Sequence, residues 1–314
     1  MAAGRLTYLP VAVGITDGVE TPRTVVVGQV ARDLVLVVPQ VPEAGSSARV
    51  EQRREMLGGK GANIAVAAAQ LGATVAVIGA VGSDATADWL IGQAAASGVD
   101  TRHVSRRPDT STALIVDVVT PDAHWRYLED IPDATLVTEA DITAAKSTLA
   151  SVRSVIIQLQ QPTETTLAAA KHASAARIVL DGLPTSDKMI AAADVLRADQ
   201  HEGEQLTGTT LDTVDKAVTA GRDLLRRGPS LVALATSDAN VFVWADGQAV
   251  FPLGDTTVRD TTGGGDALVA ALTVGLDHGL HPHDAAKMAV TASARTVDHV
   301  GGRPDLDPRE IWPR

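Results

Sequence analysis

Two stretches of the chain carry residue types that could do chemistry on a charged group. The first is Asp260-Thr261-Thr262-Gly263-Gly264-Gly265-Asp266, which runs straight into the apolar segment Ala267–Leu272. Glycines let the backbone turn its N–H groups inward and let a ligand approach without meeting a Cβ. A helix starting behind them adds unpaired N–H donors and the positive end of its dipole, which together favour an anion. A carboxylate inside such a site opposes simple anion binding. It makes sense where Asp266 accepts the proton of a hydroxyl while the amides of Gly263, Gly264 and Gly265 hold negative charge developing beside it. That is the arrangement phosphoryl transfer to an alcohol requires. The competing reading is an acid in the first turn of a helix that only stabilises the dipole.

The second stretch is Gly58-Gly59-Lys60-Gly61-Ala62-Asn63. It departs from the P-loop pattern, because Lys60 is followed by glycine and Arg54 stands where the first glycine belongs. Gly28-Gln29-Val30-Ala31, after the first strand, lacks the later glycines of a dinucleotide fingerprint. Two readings stay open on these residues alone. The amides, Lys60 and Asn63 contact a polar, hydroxyl-rich ligand, or the stretch is an ordinary glycine turn before a helix.

The elements that would position both stretches alternate between strand and helix. Thr24–Gly28, Thr74–Gly79, Ser154–Gln158, Arg177–Asp181 and Leu231–Thr236 read as strands buried on both faces. Helices are expected over Asn63–Leu71, Asp84–Ser97, Thr163–Ala176, Asp212–Arg227, Gly264–His278 and Pro282–Thr296. Val241–Ala245 and Ala249–Leu253 form a hairpin around Asp246-Gly247. This alternation implies a mostly parallel central sheet covered by helices on both faces. Asp33–Val38, Thr112–Thr120 and His124–Glu129 read as strands of a small separate sheet. Residues 1–22 show no sustained period and read as a flexible extension of the domain spanning 23–314.

Composition narrows the function classes. Apolar residues make up 45% of the 314, enough for a large core, and no run is long and uncharged enough to span a membrane. No signal peptide is read at the N-terminus, and the chain is expected to be soluble and cytoplasmic. The absence of cysteine removes disulfides, thiolate metal sites and cysteine nucleophiles. Lys and Arg number 27 against 38 Asp and Glu, a net charge of −11 that disfavours nucleic acid and anionic membranes as partners. A phosphorylated ligand must then be held by local amides and a metal.

Together the two stretches resemble the paired signatures of the PfkB family of carbohydrate kinases, with ribokinases the most similar members. Gly58–Ala73 with Asp84 looks like the N-terminal signature, Asp260–Leu272 like the C-terminal one, and the likeness runs from about Thr24 to about Pro304. The resemblance implies a ribokinase-like α/β fold with a β-sheet lid, built from about 33–57 and 111–130, that pairs to make a homodimer. It implies ATP and Mg²⁺ as cofactors, a K⁺-type cation beside the anion hole, and a sugar whose primary hydroxyl is phosphorylated. By position, Asp266 becomes the base and Gly263, Gly264 and Gly265 the anion hole. Asp33, Gly58, Gly59, Lys60, Asn63 and Gln160 surround the sugar. Asp199, Thr236 and Ser237 fall on the nucleotide side. Asp199 and Glu202 orient Mg²⁺ through water, and carbonyls near Asp260, Thr262 and Val300-Gly301-Gly302 hold the monovalent cation.

Several positions depart from the family pattern. Asp199 replaces an asparagine, Gln160 a sugar-contacting glutamate, Ile64 a glutamine, Gly264 an alanine and Ser237 a glycine. These changes touch the acceptor and phosphate contacts more than the transfer itself. They leave a nucleoside kinase, or a catalytically weak sugar- or nucleotide-binding regulator, as alternatives to a ribose or ketose kinase. His278, His281 and His283 straddle a helix end and are read as surface residues, not a zinc site. His124, Trp125 and Arg126 either cover the sugar or pack the small sheet.

Overall fold

The computed structural model describes residues 23–121, 125–254 and 258–313. The expected extension 1–22 and His124 lie outside them. The chain order begins β1 (Thr24–Val27), β2 (Ala31–Val37), β3 (Gln52–Gly58), β4 (Val75–Val81), β5 (Val99–Arg106), β6 (Leu114–Val119) and β7 (Trp125–Asp130). It continues with β8 (Ser154–Gln158), β9 (Arg177–Asp181), β10 (Val195–Ala198), β11 (Leu231–Ala235), β12 (Ala239–Trp244) and β13 (Gly247–Pro252).

Nine strands form one sheet in the order β13-β12-β11-β10-β9-β8-β1-β4-β5. From β11 to β5 every pairing is parallel; β12 and β13 add an antiparallel hairpin at the edge. Strands buried on both faces alternate their side chains between two cores. Val26, Ile156 and Val179 pack with the helices Lys60–Gln70, Gly264–Asp277 and Pro282–Val297. Val25, Val27, Ile157 and Leu180 pack on the other face, with helices that include Thr163–His172 and Val214–Leu225. The strand order reverses beside β1, whose neighbours are β4 and β8. Ligands of open α/β sheets bind at the carboxyl ends of the strands flanking such a switch.

A four-stranded sheet, β3-β2-β6-β7, stands apart from the main one. Its β2 alternates buried Ala31, Asp33 and Val35 with half-buried Arg32, Leu34 and Leu36. Register pairs Asp33 with Ile115 and Ile115 with Glu129; the next row on the same face is Val35, Asp117 and Tyr127. That face is turned toward the glycine-rich loops.

The sequence expectation needs correcting in five places. The helix after the second glycine stretch starts at Lys60, three residues before Asn63, so Lys60 and Asn63 share its first turn. The small sheet has a strand that periodicity missed, β3, whose Gln52, Arg53, Arg54 and Glu55 are exposed. Strands β5 and β10 were also missed. The hairpin strands begin at Ala239 and Gly247, with Trp244 opposite Gly247.

Candidate active site

A cavity of about 580 Å³ opens where the lid face meets the strand ends of the main sheet. Asp33, Gly59, Lys60 and Asn63 border it on one side, and Thr262, Gly263, Gly265 and Asp266 on the other. Gln160, Asp199 and Glu202 complete the walls expected from sequence. Gly58, Gly264 and Asp260 stand behind those walls.

The three glycines of the first stretch are small for three different reasons. Gly263 precedes the helix Gly264–Asp277 with φ 74°, and a Cβ there would lie 1.9 Å from the Gly302 carbonyl oxygen. A Cβ on Gly264 would lie 2.8 Å from Val297 Cγ1, so this glycine seats the helix against its neighbour. One on Gly265 would lie 2.6 Å from Nη2 of Arg197. Asp260, fully buried, ties the loop down: Oδ1 accepts from Thr262 N at 2.9 Å and Oδ2 from Gly301 N at 2.9 Å.

Asp266 is 5% exposed in the first turn of that helix, and its Oδ2 accepts from Asn63 Nδ2 at 3.1 Å. Burial pushes its pKa from 3.8 up to about 6; Lys60 opposes the rise and Asp181 reinforces it. Burial works against the Lys60 ammonium too, yet Asp181, Asp266 and Glu202 outweigh it and hold the pKa above the ordinary value. Opposite, Asp33 is 6% exposed and is pushed up to about 7 by burial and then by the charge of Asp266. Gly58 makes room for it, since a Cβ there would lie 1.9 Å from Asp33 Cγ. Asp33 Oδ1 and Asn63 Oδ1 are buried and lack a hydrogen-bond partner among the described residues. They are buried acceptors without a protein donor, on two residues that border the same cavity, as a polyol site would need.

The lid touches the glycine-rich loop directly. The Tyr127 hydroxyl lies 2.5 Å from Thr262 Oγ1, which is also 3.4 Å from Asp117 Oδ2. Burial and the neighbouring Asp260 push Asp117 up to about 7. Arg54 Nη1 donates to the Val300 carbonyl at 3.0 Å, a second tie to the 300–302 turn.

On the far side, Asp199 caps the helix Gln200–Thr207. Its Oδ1 accepts from Glu202 N at 2.8 Å, and Glu202 Oε2 accepts from Asp199 N at 2.9 Å. Burial raises the Glu202 pKa, with Lys60 opposing it.

The sequence profile of the pfkB family carbohydrate kinase matches residues 21–309. The chain belongs to that family. It is therefore a phosphotransferase with an alcohol as acceptor. A ribokinase of Haemophilus influenzae is 26% identical over 291 residues, covering 91% of this chain and 95% of its own. A deoxyribokinase of Salmonella typhi is 26% identical over 251 residues, covering 78% and 82%. The solved structure of Arabidopsis thaliana ribokinase complexed with ribose and ATP superposes with a TM-score of 0.76 at 20% identity, covering 93% and 97%. The fold is ribokinase-like, with the small sheet as its lid.

Within this kinase, Thr236 and Ser237 are not walls of the cavity. Thr236 Oγ1 closes the β11–β12 turn by accepting from Asp238 N at 3.1 Å and Ala239 N at 2.9 Å, and Ser237 is exposed. Sequence reasoning missed Gln29, Asp117, Tyr127, Glu129 and Arg197, which the cavity gathers, and Asp181 behind them. For Asp181 a signal existed: an acid closing a buried parallel strand stands at the end where ligands bind. Arg197 went unseen with its strand.

Proposed function

We propose that this pfkB kinase is ATP-dependent and transfers the γ-phosphoryl group to a primary hydroxyl of ribose or a similar pentose or ketose. The observation carrying this reading is the buried Asp266 carboxylate, set by Asn63 at the rim of the glycine loop and bordering one cavity with Asp33 and Asn63, each of which keeps an unpartnered acceptor. Asp33 holds acceptor hydroxyls, with Gly58 and Gly59 shaping its surroundings, and Gln160 contacts the sugar at the cavity mouth. Asp266 takes the proton of the hydroxyl as the new O–P bond forms. The amides at Gly263–Gly265 and the Lys60 ammonium carry the charge of the transferring group, the main task in a loose transition state. The lid excludes water.

Magnesium fits the acidic balance on the nucleotide side, where it would neutralise phosphate charge. Asp181 Oδ2 is buried without a hydrogen-bond partner, and no group of three or more His, Asp or Glu among the described residues could hold a metal alone. Asp199 and Glu202 would then hold it through water, most of its ligands coming from solvent and triphosphate. Carbonyls of Asp260 and Thr262 are the proposed ligands of a monovalent cation, and Thr236 and Ser237 flank the nucleotide. Residues 23–314 act as one kinase domain in the cytoplasm. The lid edges β3 and β7, with Leu128 66% exposed on β7, support pairing of two lids in a homodimer.

A nucleoside acceptor is the second reading. It is favoured by the lid row in which Ile115 offers an apolar floor beyond Asp33 and Glu129 a carboxylate beyond that. Turnover with ATP and magnesium over a panel of pentoses, ketoses and nucleosides tests both. Ribose or a close pentose or ketose is expected to give the highest kcat/KM. A nucleoside winning the panel selects the second reading, and tight sugar binding without turnover would overturn both.

A further inference from the structure

Behind the glycine loop lies a cation that neither glycine-rich stretch announces. Arg197 on β10 is in register with Asp181 on β9, and its Nη1 donates to Asp181 Oδ1 at 3.0 Å. The two side chains are 14% and 1% exposed. The other N–H groups of the guanidinium find no acceptor among the described residues, and the side chain lines the same cavity as Gly263, Gly265 and Asp266. A Cβ on Gly265 would lie 2.6 Å from Nη2 and 2.8 Å from Nη1. Gly265 is not among the glycines of positive φ, so its smallness serves the guanidinium and not the backbone. The Arg thus presses against the first turn of the helix Gly264–Asp277.

A helix N-terminus is an unfavourable place for a buried cation, because both are positive. Asp181 compensates part of that repulsion. The unspent donors make sense when an anion occupies the space in front of them. One more charge points the same way. Asp199 places a carboxylate on the wall where the family resemblance implies a neutral asparagine.

We infer that Arg197 is a catalytic residue that donates to oxygens of the transferring phosphoryl group and offsets the negative charge of Asp199. The inference rests on the kinase reading above. The bond from the γ-phosphorus to the oxygen of ADP breaks as the bond to the sugar oxygen forms. The hydroxyl proton goes to Asp266, and Arg197 keeps its protons throughout.

The test compares Arg197→Gln, Arg197→Lys and Arg197→Gln/Asp199→Asn with the wild type. Removing one preorganised donor from such a site lowers kcat about 100-fold, the result expected for Arg197→Gln. Arg197→Lys retains the charge without the fork and falls in between. The added Asp199→Asn change is expected to recover about tenfold over Arg197→Gln, since an uncompensated carboxylate is gone. Calorimetric affinity for the acceptor sugar stays at the wild-type value, which separates lost chemistry from a damaged fold. A kcat for Arg197→Gln within about threefold of wild type would overturn the inference. Sugar affinity falling in parallel with turnover in both single variants would do the same, leaving Arg197 a structural partner of Asp181. If the wild type turns over no acceptor, the kinase reading fails on its own. Binding of a non-hydrolysable ATP analogue then decides: weakened in Arg197→Gln with AMP unchanged supports Arg197, and unchanged analogue binding overturns it.

Discussion

Asn63 donates from Nδ2 to Asp266 Oδ2 at 3.1 Å, across 203 positions of sequence. This bond joins the two glycine-rich stretches into one site and leaves the second carboxylate oxygen of Asp266 to the proposed acceptor hydroxyl. It also favours the ionised form of Asp266. Asn63→Ala is expected to lower kcat/KM about tenfold, near the worth of a hydrogen bond to a charged group. It also moves the acid limb of the pH–rate profile to higher pH, because the bond that depresses the pKa is gone. An acid limb that stays put or moves down would show that Asn63 does not tune Asp266.

Gly58 and Asp33 compete for the same volume. Gly58→Ala would place a methyl carbon 1.9 Å from Asp33 Cγ. Asp33 must leave, and in the proposed role the acceptor loses charge-assisted hydrogen bonds of about 1.5–3 kcal/mol each. Acceptor affinity is expected to fall about 10- to 100-fold while ATP affinity is retained. Calorimetry with each ligand checks it.

The buried carboxylates set a pH signature on stability. Asp33 rises from 3.8 to about 7, first through burial, so the folded state holds a proton that the unfolded state has lost over that interval. Asp33 therefore costs stability increasingly as pH rises from about 4 to about 7, and the full penalty is present above that. Asp33→Asn is expected to raise the Tm by about 5 °C at pH 8 and to change it little at pH 4. Thermal melts of the ligand-free protein at both pH values decide this, and an equal shift at both would contradict it.

Tyr127 and Thr262 connect the lid to the glycine-rich loop at 2.5 Å. Tyr127→Phe removes the hydroxyl and keeps the ring. The KM for the acceptor is expected to rise about threefold to tenfold, with a smaller fall in kcat, because a neutral hydrogen bond contributes about 1 kcal/mol. Steady-state kinetics separates the two parameters.

Much of this was legible in the chain. The runs Ser154–Gln158 and Arg177–Asp181 are short, apolar and bounded, and the structure places strands on those residues. Asp84 and Ser97 flank the helix Ala85–Ala96 as its caps, where the sequence set its ends. Strand β3 was hidden because lid strands meet solvent on one side, and Gln52-Arg53-Arg54-Glu55 carries no apolar period. The companions of Asp266 were harder. Asp117, Tyr127 and Arg197 reach the site through register between strands distant in sequence, and no local spacing encodes that meeting. Thr236 stands at the end of a core strand, as a ligand-binding residue would, and its hydroxyl closes its own turn by accepting from Asp238 N and Ala239 N.

The role of Asp266 as base is tested most directly by Asp266→Asn. Phosphoryl transfer to the best acceptor is measured at saturating ATP and magnesium, beside calorimetric affinity for that acceptor. Loss of general-base catalysis predicts a fall of about 10²- to 10⁴-fold in kcat with acceptor affinity within about threefold of wild type. A variant that still turns over near the wild-type rate would contradict the assignment.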